Sequence, residues 1–148
     1  GKELSRRRSP RHGRVEHVFS ELVRLAQLVE HPNFSLEVVY TQEEELRAWR
    51  PDGSWRRRGW RTFDRRLLAV SGSQRFDSPA DYLALLPQEL YAGFDTRQLA
   101  RRLGLPRYLA QKMAYCLHAM GLLERSKRGR AYVYRGVPAA GTRPAACG

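Results

Sequence analysis

The residues of this chain that could do chemistry are a set of carboxylates, Glu37 with Glu43, Glu44 and Glu45, and three clusters of cations. Paired carboxylates can hold a divalent ion against a phosphate, the chemistry of a metal-dependent nuclease. The spacing argues against it. Adjacent acids on a strand point to alternate faces, and no lysine follows at catalytic spacing. Such a run is ordinarily solvated or paired with arginines, here Arg56, Arg57, Arg58 and Arg61. Cys116, Cys147, His12, His17, His31 and His118 are scattered, without the spacing of a disulfide framework or a zinc site. No catalytic residue, metal or cofactor is expected, and the chain does not read as an enzyme.

The cations are the stronger signal. Against 15 acids stand 27 Lys and Arg, a formal charge of +12, and 24 of the 27 are arginine. Arginine pairs bidentately with phosphate and with guanine edges, although a GC-rich genome also enriches it. The clustering says more than the ratio. Lys2, Arg6, Arg7, Arg8, Arg11 and Arg14 face one acid, Glu3; Arg56, Arg57, Arg58, Arg61, Arg65 and Arg66 face Asp64; and Arg125, Lys127, Arg128, Arg130 and Arg135 face Glu124. One such run is usually a solvated face; three in a small protein point to a polyanion.

The elements that would position the last cluster are legible between Phe94 and Arg135. Asp95 and Thr96 are N-caps for a helix to about Leu103, with Leu99, Ala100 and Leu103 on one face. Gly104 supplies a turn and Pro106 opens the next helix. Between Pro106 and Met120, the spacing of Ala110, Met113, Ala114 and Leu117 turns these residues to the core. Arg107, Tyr108, Gln111, Lys112 and Tyr115 are left outside. Beyond Gly121, Leu122–Arg125 reads as a strand, Ser126–Arg130 as a hairpin loop and Ala131–Arg135 as the returning strand. Tyr132 and Tyr134 lean towards core positions.

Ahead of this, residues 1–14 lack periodicity and read as a flexible basic arm or linker. A helix is predicted over Val15–Glu30, with an apolar stripe of Val15, Val18, Phe19, Leu22, Leu25, Ala26 and Val29, ended by His31-Pro32. The stripe needs a cover, and two strands are the nearest candidates, Ser35–Thr41 and one within Trp55–Val70, joined at Pro51-Asp52-Gly53. Gln42–Trp49 fits either a longer strand or a helical turn. Ser78-Pro79-Ala80-Asp81 caps a further helix through Leu86. In Ser54-Trp55-Arg56-Arg57-Arg58-Gly59-Trp60-Arg61, aromatics interleaved with arginines suit a surface that stacks on bases and neutralises phosphate. Ordinary cross-strand packing explains the run equally well; strict alternation puts Trp55 and Trp60 on opposite faces unless Gly59 forms a bulge.

Residues 78–135 resemble the winged helix-turn-helix domains of bacterial DNA-binding proteins, whose recognition helix would here run between Gly104 and Gly121. Pro106 departs from the Ser or Thr common at that helix start, which removes one hydroxyl for phosphate. Three blocks span nearly the whole chain: RRRSPRHGRVEHVFSELVRLAQLVEHPNFSLEVVYTQEEELRAW, SWRRRGWRTFDRRLL and LAQKMAYCLHAMGLLERSKRGRAYVYR. They are similar to the C-terminal region of a family of uncharacterised bacterial proteins whose N-terminal domain resembles PD-(D/E)XK nucleases. That resemblance implies a nuclease-associated fragment or shortened relative. It carries over no catalytic residue.

The sequence therefore predicts an α+β protein, with an N-terminal helix and β-hairpin packed with a C-terminal winged helix-turn-helix. The predicted divisions are an arm over 1–14, a helix–hairpin subdomain over 15–76, the winged unit over 77–136 and a disordered tail over 137–148. The expected function is DNA binding, as the targeting part of a DNA-processing or regulatory protein. A protein-interaction or dimerisation domain is the alternative, and a nuclease a lesser one. The DNA-binding candidates are Arg107, Tyr108, Gln111, Lys112, Tyr115, Lys127, Arg128 and Arg130, with Arg56, Arg57, Arg58 and Trp60. The expected partner is duplex DNA, and a homodimer is compatible with it. With no apolar run of about 20 residues and no signal-peptide pattern, a cytoplasmic, even nucleoid-associated, place is expected and no membrane.

Overall fold

A computed structural model describes residues 5–52 and 55–138, and of Arg57 the backbone alone. Lys2 and Glu3, Gly53 and Ser54, the Arg57 side chain, Cys147 and the tail from 139 onward lie outside the described residues. The protein is α+β. It forms two compact units, Gly1–Leu36 with Phe76–Gly148, and Glu37–Arg75.

In the first unit the predicted helix over Val15–Glu30 is broken. A 3-10 turn over Val15–His17 leads into α1 (Val18–Leu22), and a second 3-10 turn covers Ala26–Glu30. The break comes where Leu25 takes φ −123°, and the amides of Leu25 and Leu28 bond three residues back, at 2.8 Å each. Burial decides the outcome. Leu25 is turned outward, while Val18, Phe19, Leu22, Ala26 and Val29 stay in the core. Their cover is also not the one expected. α1 packs against α4 (Arg107–Ala119), and the helical segment groups with the C-terminal elements instead of the hairpin.

The remaining elements of this unit are α2 (Pro79–Leu83), β3 (Phe94–Asp95), α3 (Thr96–Leu103), β4 (Leu123–Arg128) and β5 (Ala131–Gly136). The sheet order is β3-β5-β4, antiparallel, with Phe94 opposite Tyr134 and Lys127 opposite Tyr132. α2 starts where the capping signal put it, with Asp81 accepting from the amide of Ser78, but it ends at Leu83 and continues to Leu86 as turns. Asp95 caps α3 by accepting from the amides of Arg97 and Gln98 at 2.8 Å each. Gly104 at φ +63° ends α3 in the left-handed region. Leu105 and Pro106 complete the turn into α4.

One apolar interior ties these elements together. Leu99 of α3, Leu109, Met113 and Leu117 of α4, Leu123 of β4 and Phe19 of α1 are fully buried, each worth about 1.5–3 kcal/mol of transfer free energy. The Tyr82 ring stacks on Phe76 at 4.5 Å. Tyr134 is buried as expected, but Tyr132, two residues away on the same face of β5, is exposed, because it stands near the turn of the hairpin beneath the Arg125 guanidinium and not over the core. Val137, placed in the tail by sequence, still donates its amide to Leu122.

The second unit is a two-stranded ribbon of β1 (Leu36–Trp49) and β2 (Trp60–Phe76), so Gln42–Trp49 extends the strand. At its tip the Arg50 amide donates to the Gly59 carbonyl at 2.8 Å, and the Trp49 indole lies so close that a Cβ on Gly59 would meet its Nε1 at 2.6 Å. Large apolar side chains remain open to solvent along the ribbon, among them Phe63, Leu67, Leu68 and Val70.

Candidate nucleic-acid interface

The candidate residues divide into a groove, a flank and a tip. The groove lies between the first turn of α3, the start of α4 and the β4–β5 hairpin. Asp95, Thr96 and Arg97 line it from α3, Arg107 and Gln111 from α4, and Arg128, Arg130, Ala131 and Tyr132 from the hairpin. Four arginines thus line one concavity of about 490 Å³. The acid among them, Asp95, already spends its carboxylate on the α3 cap. The groove therefore presents positive charge with an amide and a phenol for directional hydrogen bonds.

Why α4 presents this face follows from its periodicity. Leu109, Ala110, Met113, Ala114, Cys116 and Leu117 are buried, leaving Arg107, Tyr108, Gln111 and Tyr115 exposed on the opposite side. Cys116 packs inward with its thiol pointing to the Phe19 carbonyl at 3.7 Å, and burial pushes that thiol up to about 11. It is a core residue of α4.

Lys112 belongs to the flank. It is half-buried, lies 5.8 Å from the Tyr108 ring centre and lines a separate depression with Ser20, Glu21, Val23 and Arg24 beside α1. The structure thus separates it from Arg107 and Gln111, its neighbours by sequence periodicity. Lys127 is exposed on β4 opposite Tyr132, outside the groove lining. Tyr108 and Tyr115 are exposed on α4 and do not line the groove either.

At the ribbon tip, Trp55 is 83% exposed, with the Arg56 guanidinium 5.6 Å from its ring centre. Strand alternation does not govern Trp55, which lies in a 3-10 turn over Trp55–Arg57. Arg58 at φ +49° and Gly59 at φ +81° then turn the chain into β2. Arg56 and Arg58 are exposed and Trp60 partly so; Arg61 is held by the Asp52 carbonyl at 3.0 Å. The tip thus combines an open indole with cations on a unit separate from the groove.

The acids of β1 do not assemble a metal site. Glu45 accepts from Thr62 and from Arg47, and these bonds hold its carboxyl at about 2. Among the described residues, no group of three His, Cys, Asp or Glu is placed to hold an ion.

Arg97 and Tyr132 are among the groove residues that the sequence candidates did not include. Arg97 belongs to the helix before the expected recognition helix, yet its position two residues after the Asp95 cap turns it towards the start of α4. Tyr132, expected to lean towards the core, lines the groove instead.

The chain belongs to the family described as a domain of unknown function, DUF8091, whose model matches residues 1–77. That match ends beside Ser78, the cap of α2. The chain is also similar to an uncharacterized protein of Treponema pallidum (strain Nichols), 30% identical over 145 residues. The similarity takes in 93% of this chain and 55% of the relative, so the chain spans just over half the relative's length. No solved structure matches. Among the described residues, no helix is long and apolar enough to cross a membrane.

Proposed function

We propose that the C-terminal unit is a winged helix that binds duplex DNA, with α4 in the major groove and the β4–β5 hairpin as the wing on the adjacent backbone. The observation that carries this reading is the convergence of Arg97, Arg107, Arg128 and Arg130 with Gln111 on one groove. The element order supports it: helix, short strand, helix, tight turn, helix and hairpin, with the short strand pairing the hairpin. Arg107 and Gln111 reach base edges or phosphates; Arg128 and Arg130 position the wing. The ribbon tip offers a second cationic and aromatic surface for nucleic acid. In this reading the chain is the DNA-targeting part of a larger processing or regulatory protein, working in the cytoplasm.

The test is fluorescence anisotropy of a labelled duplex titrated at several salt concentrations. Replacing Arg107, Arg128 and Arg130 by Ala should flatten the dependence of log K on log salt by about 0.9 for each phosphate no longer neutralised. An unchanged slope removes the groove from the interface.

A second reading rests on the ribbon. Phe63, Leu67, Leu68 and Val70 are all more than half exposed, and a lone two-stranded hairpin is marginal in water. This favours a protein contact there, including self-association, which would persist at high salt where phosphate contacts are screened.

A further inference from the structure

The extended segment before α1 is tied to the turn that introduces α4. Arg14 sits 89 residues before Leu103 in sequence, yet its Nη1 donates to the Leu103 carbonyl at 2.7 Å and to the Gly104 carbonyl at 3.3 Å. These are the open carbonyls at the C-terminal end of α3, where a cation is favourable. The other side of the same guanidinium grips Glu16, with Nη2 to Oε1 at 2.8 Å and Nε to Oε2 at 3.2 Å. Glu16 is itself buried, so the fork is fixed at both ends. Gly104 leaves room for it: a Cβ there would stand 3.8 Å from Nη1.

This staple sets where the preceding chain departs. Residues 5–13 are exposed and without regular structure, and they hold Arg6, Arg7, Arg8 and Arg11 with no acid. They leave the fold beside Gly104, three residues before Arg107, the first residue of α4. In a helix-turn-helix complex, phosphates flank that helix start. Eight extended residues, Arg6 to Gly13, reach about 25 Å, enough to cross from the major groove over the neighbouring backbone.

We infer that Ser5–Gly13 is a second DNA-binding element, an arm whose arginines neutralise the phosphates next to the α4 site, and that Arg14 is the positioning residue that aims it. This inference rests on the duplex-binding reading. It adds cations that the groove does not contain.

The experiment uses the full chain and the same labelled duplex. Replacing Arg7, Arg8 and Arg11 by Ala alters no packed side chain, so the melting temperature should hold while the salt slope becomes shallower by about 2.7, that is 0.9 for each of three phosphates. An unchanged slope overturns the arm. If the groove variant flattens the slope and the arm variant does not, the groove reading stands and the arm falls. If wild type fails to bind duplex, both fall.

The staple is tested by Arg14→Met with Glu16→Gln, which leaves no buried charge unpaired. Affinity should drop several-fold with the slope retained, because the arm's cations remain but must be ordered on binding. In the background lacking Arg7, Arg8 and Arg11 the same pair of changes should cost no affinity. An equal loss in both backgrounds would make Arg14 a structural residue alone and overturn its positioning role.

Discussion

The guanidinium of Arg125 lies over the ring of Tyr132, 4.5 Å from its centroid, across the two strands of the β4–β5 hairpin. Arg125 is opposite Tyr134 in register, so it reaches the diagonal neighbour. An exposed interaction of this kind is worth about 0.5–1 kcal/mol. Arg125→Ala and Tyr132→Ala should each destabilise the hairpin by about that much, with Tyr132→Phe close to neutral. In a double-mutant cycle followed by urea unfolding, the double variant should lose less than the two single losses added together. Strict additivity would mean that ring and guanidinium do not interact.

Gly104 is held at φ +63°, and its missing side chain has room, since a Cβ would make only ordinary contact with Arg14. The cost of substitution is therefore conformational. Gly104→Ala should destabilise the protein by about 1–2 kcal/mol, the penalty of the left-handed region for an L-residue, and Gly104→Asn by less. Equilibrium denaturation checks it; an Ala variant as stable as wild type would contradict the left-handed turn.

What the sequence made legible was local. Asp95, Gly104 and Pro106 act within a few residues of themselves, through a cap, a positive φ and a missing N–H, so the α3–turn–α4 segment could be placed to within a residue or two. The buried face of α4 was equally readable, because one apolar period fixes it. What escaped depended on distant partners. The stripe from Val15 to Val29 could not reveal that α4 would cover it, nor that Leu25 would break the helix. Lys112 looked equivalent to Gln111 until α1 packed beside it. No pattern in the chain announces that Arg14 will grip the carbonyl of Leu103.

Tyr82 places a second demand on the core. Its ring is buried between Phe76 and Phe19, and its hydroxyl has no hydrogen-bond partner among the described residues. Burial, with Asp81 and Asp77 adding to it, pushes the phenol up to about 12. An unpartnered buried hydroxyl costs about 1–3 kcal/mol, so Tyr82→Phe should be neutral or stabilising by about 1 kcal/mol. Tyr82→Ala should instead cost about 3–5 kcal/mol through the missing ring and its cavity. A clear loss of stability in the Phe variant, measured by thermal unfolding, would reveal a partner for the hydroxyl.

The start of α2 makes stability depend on acid. The amides of Asp77 and Ser78 donate to Asp81 Oδ2 at 2.8 and 2.9 Å, and these bonds hold its carboxyl below the ordinary aspartate value. A carboxyl with a lower pKa folded than unfolded binds fewer protons in the folded state. Its contribution is therefore complete above the unfolded value, about 3.9, and is lost as pH falls through the folded value. Asp81→Asn keeps an acceptor but removes the charge. The variant should be less stable than wild type near neutral pH, and the gap should close as the solution is acidified below about pH 4. Urea midpoints across that range test the point; a gap that stays constant would show that the Asp81 charge does not support the helix start.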